Sequence, residues 1–221
     1  MVQGHPTPTQ LAELERIACT PVEPVSDWFN RASTLPYGLT PAHVGKAMSE
    51  FVQFLGFINN QLNSRGIVRL ETMLMPANFS SVVGEFMSTN IPSQCPSLVK
   101  NTYHNGHPDL LPAGSHPGNA AQHAKDGIEI KASRYLRGWQ GHNPEDVWLM
   151  VFAYESGRPT DEAKSVLPMP FRFLQVLCAR LTKADWAYAG RSDKSRRTIT
   201  ASVTQSGYAK MAANWVYRVQ D

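Results

Sequence analysis

The sequence has few cysteines, no long apolar run and no apolar leader. Cys19, Cys95 and Cys178 are scattered and form no Cys-x-x-Cys pair, which argues against a disulfide framework or a thiolate zinc site and suits a reducing compartment. No run of about eighteen apolar residues is present, so a membrane span is not expected. The first ten residues are polar and lack the apolar segment of a signal peptide. We therefore expect a cytoplasmic protein without a membrane partner.

Charge is nearly balanced overall but unevenly distributed. The 221-residue chain has a formal net charge of +3, whereas residues 179–221 hold eight basic and three acidic side chains, a net of +5. This surplus includes Arg191, Lys194, Arg196 and Arg197. A local basic patch suits contact with a phosphate backbone, and the alternative is an ordinary solvated loop.

Apolar spacing predicts helices in the first ninety residues. Residues 8–18 can form a short helix, and Thr40-Pro41 provides a cap followed by proline at the first helical position. The apolar residues behind it recur at spacings of four and three, and they are Val44, Met48, Phe51, Leu55, Ile58 and Leu62. Residues 79–90 predict a further helix. Such apolar faces predict helices packed on a core.

Strand patterns dominate the middle of the chain. Alternation in 127–131 and the apolar run 147–154 predict two strands, and the β-branched segment 198–204 predicts another. Residues 171–181 fit a strand or a buried helix equally well. Residues 207–218 place apolar side chains on one helical face and predict a closing helix. Together these elements predict a mixed α/β domain.

Two short motifs suggest chemistry. Asp109 lies in a His-Pro-Asp turn, and Glu129 and Lys131 alternate with Ile128 and Ile130. In a half-buried strand the isoleucines face the core, so the carboxylate and the ammonium share the opposite face. With a second carboxylate on a nearby turn, this set can bind a hard divalent cation and hold a water beside it. That equipment suits metal-assisted hydrolysis of a phosphodiester.

At these residues the chain resembles the PD-(D/E)xK nuclease superfamily and, within it, the type II restriction endonucleases. Pro108-Asp109 matches the first half of the signature and Glu129-Ile130-Lys131 the second, with nineteen residues between Asp109 and Glu129. The resemblance covers about residues 79–155. Glu-x-Lys alone also occurs in ordinary surface strands, but here each half follows a turn signal. The resemblance implies an α/β fold in which a mixed central β-sheet lies between helices.

The chain length fits one large domain. We expect a single nuclease domain over 1–221, with a mainly helical part at 1–66 followed by the catalytic core and a basic C-terminal part at 67–221. The resemblance further implies a prokaryotic cytoplasmic enzyme.

The resemblance assigns roles to individual residues. Asp109 and Glu129 would hold Mg²⁺, with the backbone carbonyl of Ile130 as a third ligand. Lys131 would orient the attacking water and offset charge in the transition state. Glu85, on the helix ahead of the first motif, would complete the catalytic set, or else it is a solvated glutamate. The proton acceptor and the number of metal ions stay open.

The segment 134–143, directly after the active strand, is rich in groups that read bases or clamp phosphate. The alternative is a structural loop in which Trp139 packs. Ser133, two residues beyond Lys131, would lie on the same strand face and could hydrogen-bond a phosphate. The other candidate DNA-contacting residues, in this loop and in the basic C-terminal part, are Arg134, Arg137, Trp139, Gln140, His142, Asn143, Lys194, Arg196 and Arg197.

Five of the seven histidines lie between His104 and His142. His104-x-x-His107 could ligate zinc, and a histidine–metal nuclease of the HNH type would use such residues. The spacing matches neither pattern, so we favour loop histidines that touch DNA or solvent.

The function we expect is a Mg²⁺-dependent endodeoxyribonuclease that cleaves both strands of double-stranded DNA at a short site. We expect a homodimer, because palindromic sites mirror two-fold symmetry. The alternatives are a repair or junction-resolving nuclease of the same fold and a non-catalytic DNA-binding protein.

Overall fold

In the described residues, four α-helices precede the strands, and a fifth lies between the last two strands. A computed structural model describes residues 6–141, 143–188 and 201–220. The helices are α1 (Pro8–Ala18), α2 (Pro41–Asn63), α3 (Leu70–Met73), α4 (Pro76–Gln94) and α5 (Gln205–Ala213). The strands are β1 (Leu98–Lys100), β2 (Leu110–Pro112), β3 (Ile128–Ser133), β4 (Gln140–Gly141), β5 (Val147–Glu155), β6 (Arg172–Leu181), β7 (Trp186–Tyr188), β8 (Ala201–Val203) and β9 (Trp215–Arg218).

A mixed six-stranded sheet organises the molecule. Its strand order is β1-β2-β3-β5-β6-β9, in which β3 and β5 are parallel and every other neighbouring pair is antiparallel. A smaller antiparallel sheet has the order β4-β8-β7. The predicted α/β class and the mixed central sheet are confirmed.

Helices α2 and α4 cover one face of the large sheet. The Thr40 hydroxyl caps α2 by accepting the His43 backbone N–H over 3.3 Å, and Pro41 supplies the first helical residue. The apolar faces of both helices are buried against residues of β3, β5 and β6 in one cluster, which we call the helix-side core. Neither α2 nor any other helix in the described ranges combines the length and the apolar character needed to cross a membrane.

The opposite face of the sheet has its own, smaller core. Residues of β5 and β6 pack there against Trp139, Trp186 and Met211, which lie near β4, on β7 and on α5. We call this cluster the second core. Because strand residues alternate between faces, each central strand contributes to both cores. The core that a β3 side chain joins therefore shows on which face of the sheet it lies.

Several sequence predictions are confirmed. Helices form at 8–18 and from Pro41 to Asn63, and the predicted helix at 79–90 extends over Pro76–Gln94. The ambiguous apolar segment at 171–181 is strand β6. It pairs with β5 over nine positions, so its backbone groups are satisfied by the sheet and not by a helix.

The predicted helix at 207–218 is wrong in its second half. Helix α5 ends at Ala213, and Trp215–Arg218 form strand β9, which pairs with β6. The backbone at the cap residue Asn214 leaves the helical region, and the Asn214 amide donates to the Cys178 carbonyl of β6 over 2.6 Å. Val216 and Tyr217 are buried in the helix-side core. Residues 215–218 are β-forming, and their apolar spacing also fits a helix. Pairing with the open edge of β6 therefore stabilises the strand.

A buried ionic cluster joins the N-terminal helices. The Arg69 side chain, 2% exposed, donates to Glu15 Oε1 over 2.9 Å, to Glu71 Oε1 over 2.7 Å and to the Met169 carbonyl over 2.9 Å. Asn59 of α2 also donates to Glu71, over 2.9 Å. Each buried charge is thus paired, which is the condition for burying such groups.

Candidate active site

Strand β3 places Glu129 and Lys131 side by side on the face of the sheet opposite its isoleucines. Ile128 and Ile130 are buried in the helix-side core. In the parallel register, Glu129 and Lys131 lie beside β5 residues that belong to the second core. Lys131 Nζ donates to Glu129 Oε1 over 3.1 Å. The predicted alternation at β3 is confirmed, and the pair is half-buried, unlike a fully solvated surface pair.

Asp109 reaches β3 because β2 separates from it. Within this part of the described chain, Leu110 and Ile128 form the single register pair between the two strands. Beyond that pair, Asp109 Oδ2 accepts the backbone N–H of Ile130 over 2.7 Å. A strand residue points its N–H and its C=O to the same edge, so the Ile130 carbonyl also faces the edge where Asp109 lies. The two motifs are thus brought together.

Gly127 permits this approach. Its φ of +142° favours glycine, and a Cβ atom there would overlap the Leu110 carbonyl oxygen and the Pro108 ring. The Gly127 N–H donates to the Tyr37 hydroxyl oxygen over 2.9 Å. At the predicted turn before β3, the backbone of Gly127 therefore passes close to Pro108 and Leu110. This approach holds the His-Pro-Asp segment against β3.

His107 joins two carboxylates in the same place. Its Nδ1 lies 2.9 Å from Glu129 Oε2, and its Nε2 lies 2.9 Å from Glu145 Oε2. The loop that carries it is held by Asn101, a buried residue whose amide donates to the Pro108 carbonyl over 3.0 Å and to the Ala121 carbonyl over 2.7 Å. The expectation that the loop histidines touch DNA or solvent does not describe His107, because both of its ring nitrogens contact carboxylates.

The pKa values of Asp109, Glu129 and His107 are shifted in different directions. Burial and the neighbouring charge of Glu129 raise the pKa of Asp109 from 3.8 to about 7, although the Ile130 N–H opposes the shift. Burial also favours a higher pKa for Glu129, but the hydrogen bond from His107 and the charge of Lys131 outweigh it and lower the pKa from 4.5 to about 2. Burial disfavours charged His107, but hydrogen bonds with the two carboxylates raise its pKa from 6.5 to about 10.

The donor set suits a hard divalent cation. Two carboxylates and one backbone carbonyl are oxygen ligands of the kind that Mg²⁺ prefers. In the described ranges, no three His, Cys, Asp or Glu side chains are arranged so that they could hold one metal ion together. A cation at this site would therefore take two side-chain ligands and depend on backbone oxygen and water for the rest.

Glu85 lies apart from this group. Its side chain on α4 is 71% exposed and pairs with Lys100 Nζ over 2.8 Å. Helix α4 packs on the helix-side core, whereas Glu129 and Lys131 lie on the other face of the sheet. This placement favours the solvated alternative for Glu85 over a role in the catalytic set.

Two residues of the predicted DNA-contacting loop hold the loop itself. The Arg134 guanidinium donates to the hydroxyl and the carbonyl of Ser156 and to the Gly157 carbonyl. Trp139 is buried in the second core, and its Nε1 donates to the Tyr135 carbonyl over 2.8 Å. The structural alternative for Trp139 is confirmed, and Arg134 is similarly occupied.

Other residues of this loop face outwards. Arg137, Gln140 and Asn143 are exposed, and so is Tyr135, at 72%. The Ser133 hydroxyl is half-buried and accepts the Tyr135 backbone N–H over 3.0 Å. Hydrogen bonds of Ser133, Arg134 and Trp139 therefore hold this loop, while several of its polar and aromatic side chains are exposed.

Some predicted contacts cannot be placed. His142, Lys194, Arg196 and Arg197 lie outside the described residues, and the strand predicted at 198–204 is described from Ala201 as β8.

The zinc alternative is not supported by the described histidines. His104 is exposed, while His107 is bonded to glutamates.

Sequence reasoning missed His107 and Glu145 as members of the site. A signal for His107 is present, because it stands two residues before Asp109. Glu145 carries no comparable signal. It follows Asn143-Pro144 in a segment without regular structure, and its place beside His107 depends on how two separate loops fold.

The site is thus defined by its own geometry: two carboxylates, a lysine and a backbone carbonyl at the divergence of β2 from β3, with a histidine and a third carboxylate beside them. Comparison with protein-family models gives no match for the chain, and the search of curated proteins likewise finds no match.

Proposed function

We propose that this chain is a Mg²⁺-dependent endodeoxyribonuclease that cuts both strands of double-stranded DNA at a short specific sequence, in the manner of a type II restriction endonuclease. The observation that carries the proposal is the convergence of Asp109, Glu129 and Lys131 where β2 leaves β3. The mixed sheet between helix layers is compatible with a restriction-endonuclease-like core. Fold alone would not support the assignment, since one fold serves many functions.

Each group has a chemical role in this proposal. Asp109, Glu129 and the Ile130 carbonyl would hold Mg²⁺, which supplies a Lewis acid and a more acidic water when bound. Lys131 Nζ lies on the same face and would offset the negative charge that develops on the phosphate.

The loop after β3 would read the DNA. Since Arg134 and Trp139 are used to fold the loop, we assign base contact to the exposed Arg137, Gln140 and Asn143. Arginine recognises guanine through two hydrogen bonds, and glutamine and asparagine recognise adenine in the same way. A loop backbone that is already ordered loses little entropy on binding.

The remaining partners follow from charge and symmetry. The basic residues Lys194, Arg196 and Arg197 would contact the phosphate backbone, which gives affinity without sequence specificity. A homodimer would present two copies of the site to a palindromic sequence. Light scattering on the purified protein measures the oligomeric state directly, and a monomer on cognate DNA would contradict the dimer.

Digestion of a plasmid of known sequence tests the proposed activity. With Mg²⁺ we expect discrete fragments whose mapped ends share one short sequence. Lys131→Ala should lower the rate on the order of 10²-fold or more, as is common when one electrostatic group is removed. Lys164→Ala is the matched control, because Lys164 is an exposed lysine in the short 3-10 helix between β5 and β6, and it should cleave like the parent protein. Near-normal cleavage by Lys131→Ala would remove this site assignment.

The same experiment separates the alternatives. Cleavage confined to branched or mismatched substrates, without discrete plasmid fragments, would indicate a repair or junction-resolving nuclease. Duplex binding that persists without Mg²⁺ and never leads to cleavage would indicate a non-catalytic DNA-binding protein.

A further inference from the structure

Tyr135 and Leu136 are two large side chains that stand exposed beside each other in the loop after β3. Tyr135 is 72% exposed and Leu136 is 47% exposed. Among the described residues, the buried clusters of the helix-side core and the second core include neither of them. Single exposed apolar residues are common on protein surfaces and need no explanation. An adjacent pair directly beyond the active strand, in contrast, forms a small apolar projection.

Hydrogen bonds to the backbone hold the two residues where they are exposed. The Tyr135 N–H donates to the Ser133 hydroxyl over 3.0 Å, and the Tyr135 carbonyl accepts Trp139 Nε1 over 2.8 Å. The Leu136 carbonyl accepts Nε2 of Gln175, a buried residue of β6, over 2.8 Å. These bonds oppose a rearrangement of the loop that would bury the two side chains. A partner that covers them therefore meets a loop that needs little further ordering.

The charge around the pair favours a nucleic acid as the partner. Residues 131–141 hold three basic side chains and no acidic one. Tyr135 and Leu136 thus project from a positively charged segment, which attracts a phosphate backbone. An aromatic ring can stack on a base, and a leucine can enter between neighbouring base pairs. Duplex DNA therefore fits both the charge of the segment and the chemistry of the two side chains.

The chain limits how far the pair lies from the active site. Lys131 and Tyr135 are four residues apart, so at most about 14 Å separates their Cα atoms. Stacked base pairs are about 3.4 Å apart, so this distance corresponds to about four base pairs. A duplex with its reacting phosphate at Lys131 would therefore bring a step a few base pairs away against Tyr135 and Leu136.

We propose that Tyr135 and Leu136 form a wedge that enters the duplex between two adjacent base pairs, a few base pairs from the cut. This inference rests on the proposed function, in which the loop after β3 contacts duplex DNA. Unstacking costs least at flexible pyrimidine–purine steps such as TA and CA. The recognised sequence therefore contains such a step opposite the wedge. The wedge selects this step through its deformability, whereas the exposed polar residues of the loop read bases through hydrogen bonds.

Fluorescence of 2-aminopurine measures the unstacking directly. This adenine analogue becomes brighter when its base leaves the stack. The probe is the duplex that the protein enriches from a pool of random short DNA duplexes. Ca²⁺ replaces Mg²⁺, because its more flexible coordination geometry slows cleavage. With 2-aminopurine in place of one adenine at a time, we expect a rise at one pyrimidine–purine step and none at the other adenines.

Substitutions assign the effect to the two side chains. Tyr135→Ala and Leu136→Ala should each weaken binding of the enriched duplex about tenfold, the scale of one lost base stack, and should reduce the fluorescence rise. Tyr135→Phe keeps the ring and should behave like the parent. Leu11→Ala is the matched control, because Leu11 is a leucine of α1 that is 39% exposed, and it should change neither quantity.

The outcomes separate this inference from the proposed function. If no adenine of the enriched duplex brightens, or if either alanine variant unstacks it as the parent does, the wedge is refuted and Mg²⁺-dependent cleavage can still stand. If the parent unstacks one step and both alanine variants fail to do so, the wedge stands, and a lack of cleavage in Mg²⁺ then refutes the nuclease alone. Alanine variants that convert a dimer into a monomer would make the pair a subunit contact and overturn the wedge. If the protein enriches no duplex, both proposals are refuted.

Discussion

Replacing Asp109 by asparagine should make the metal-free protein more stable at pH 8, whereas replacing Glu129 by glutamine should make it less stable. The two residues stand in one site and both changes remove one negative charge at nearly constant shape. Opposite signs are expected because the pKa of Asp109 is raised to about 7 and that of Glu129 is lowered to about 2.

The direction of the stability change for Asp109→Asn follows from whether the folded protein prefers the protonated or the ionised carboxyl. A raised pKa means that the folded protein favours the protonated carboxyl, so this contribution is full below pH 3.8 and is lost as the pH rises through about 7. At pH 8 the folded state holds an ionised carboxylate against Glu129. The difference in pKa corresponds to roughly 4 kcal/mol as an upper limit. Partial exposure and coupling to Glu129 reduce this upper limit. We therefore expect Asp109→Asn to raise the free energy of unfolding at pH 8 by about 1–2 kcal/mol.

The stability change expected for Glu129→Gln has the opposite direction. Its lowered pKa means that the ionised form stabilises the fold above pH 4.5 and that this contribution disappears as the pH falls through about 2. Glu129→Gln removes the charge that pairs with His107 and Lys131. We expect a loss of about 1–3 kcal/mol at pH 8.

Urea unfolding in the presence of EDTA at pH 8 and pH 5 measures both changes. At pH 5 the folded parent holds Asp109 protonated while the unfolded chain still ionises it, so the advantage of Asp109→Asn should fall to about half its pH 8 value or less. Glu129→Gln should remain destabilising at both values. A destabilised Asp109→Asn at pH 8, or a gain of equal size at pH 5, would refute the reasoning about the repulsion between the two carboxylates.

Three further predictions concern the scaffold and the DNA-contacting loop. Gly127→Ala should lower the free energy of unfolding by about 3 kcal/mol or more, because positive φ and overlap combine, whereas Gly138→Ala, at φ +77° in open space, should cost about 1 kcal/mol in the same urea assay; equal losses would contradict the close approach at Gly127. Arg69→Met should cost about 3–5 kcal/mol by leaving its buried acidic partner unpaired, while Arg65→Met on the exposed surface should cost less than about 0.5 kcal/mol; a similar small loss for both would mean that the buried pair is not needed. Gln140→Ala should lose about 1–3 kcal/mol of discrimination at one base position at an unchanged melting temperature, and a uniform loss on all DNA sequences would make the residue structural.

The regular elements could be predicted from the sequence where one pattern dominates. The alternation in β3 and the long apolar stripe of α2 each identify an element and its buried face. The segment 171–181 could not be assigned, because a buried strand and a buried helix are both apolar all round. The same limit explains the error at 215–218, where pairing with the open edge of β6 decides between two locally acceptable conformations.

The candidate site divides in a similar way. Glu129 and Lys131 are set by local geometry, since alternate residues of a strand share a face. Asp109 can be predicted as part of the site only from the spacing between the two motifs. Glu145 and the inward turn of Arg134 depend on contacts between segments distant in sequence, and no residue pattern records those contacts. The long arginine side chain that reads as a DNA contact in sequence is equally suited to bind backbone carbonyls.

The unfavourable free energy of ionising Asp109 in the folded protein is the strongest physical argument that this site has a function. A structural role at this position needs only an acceptor for the Ile130 N–H, and an asparagine would provide it without repelling Glu129. The folded protein instead keeps a second carboxylate where its ionisation is unfavourable. Local conflicts of this kind are expected where a sequence serves a ligand as well as the fold. A divalent cation would remove the conflict directly, because its charge favours ionised Asp109, whose pKa is raised by burial and by the charge of Glu129.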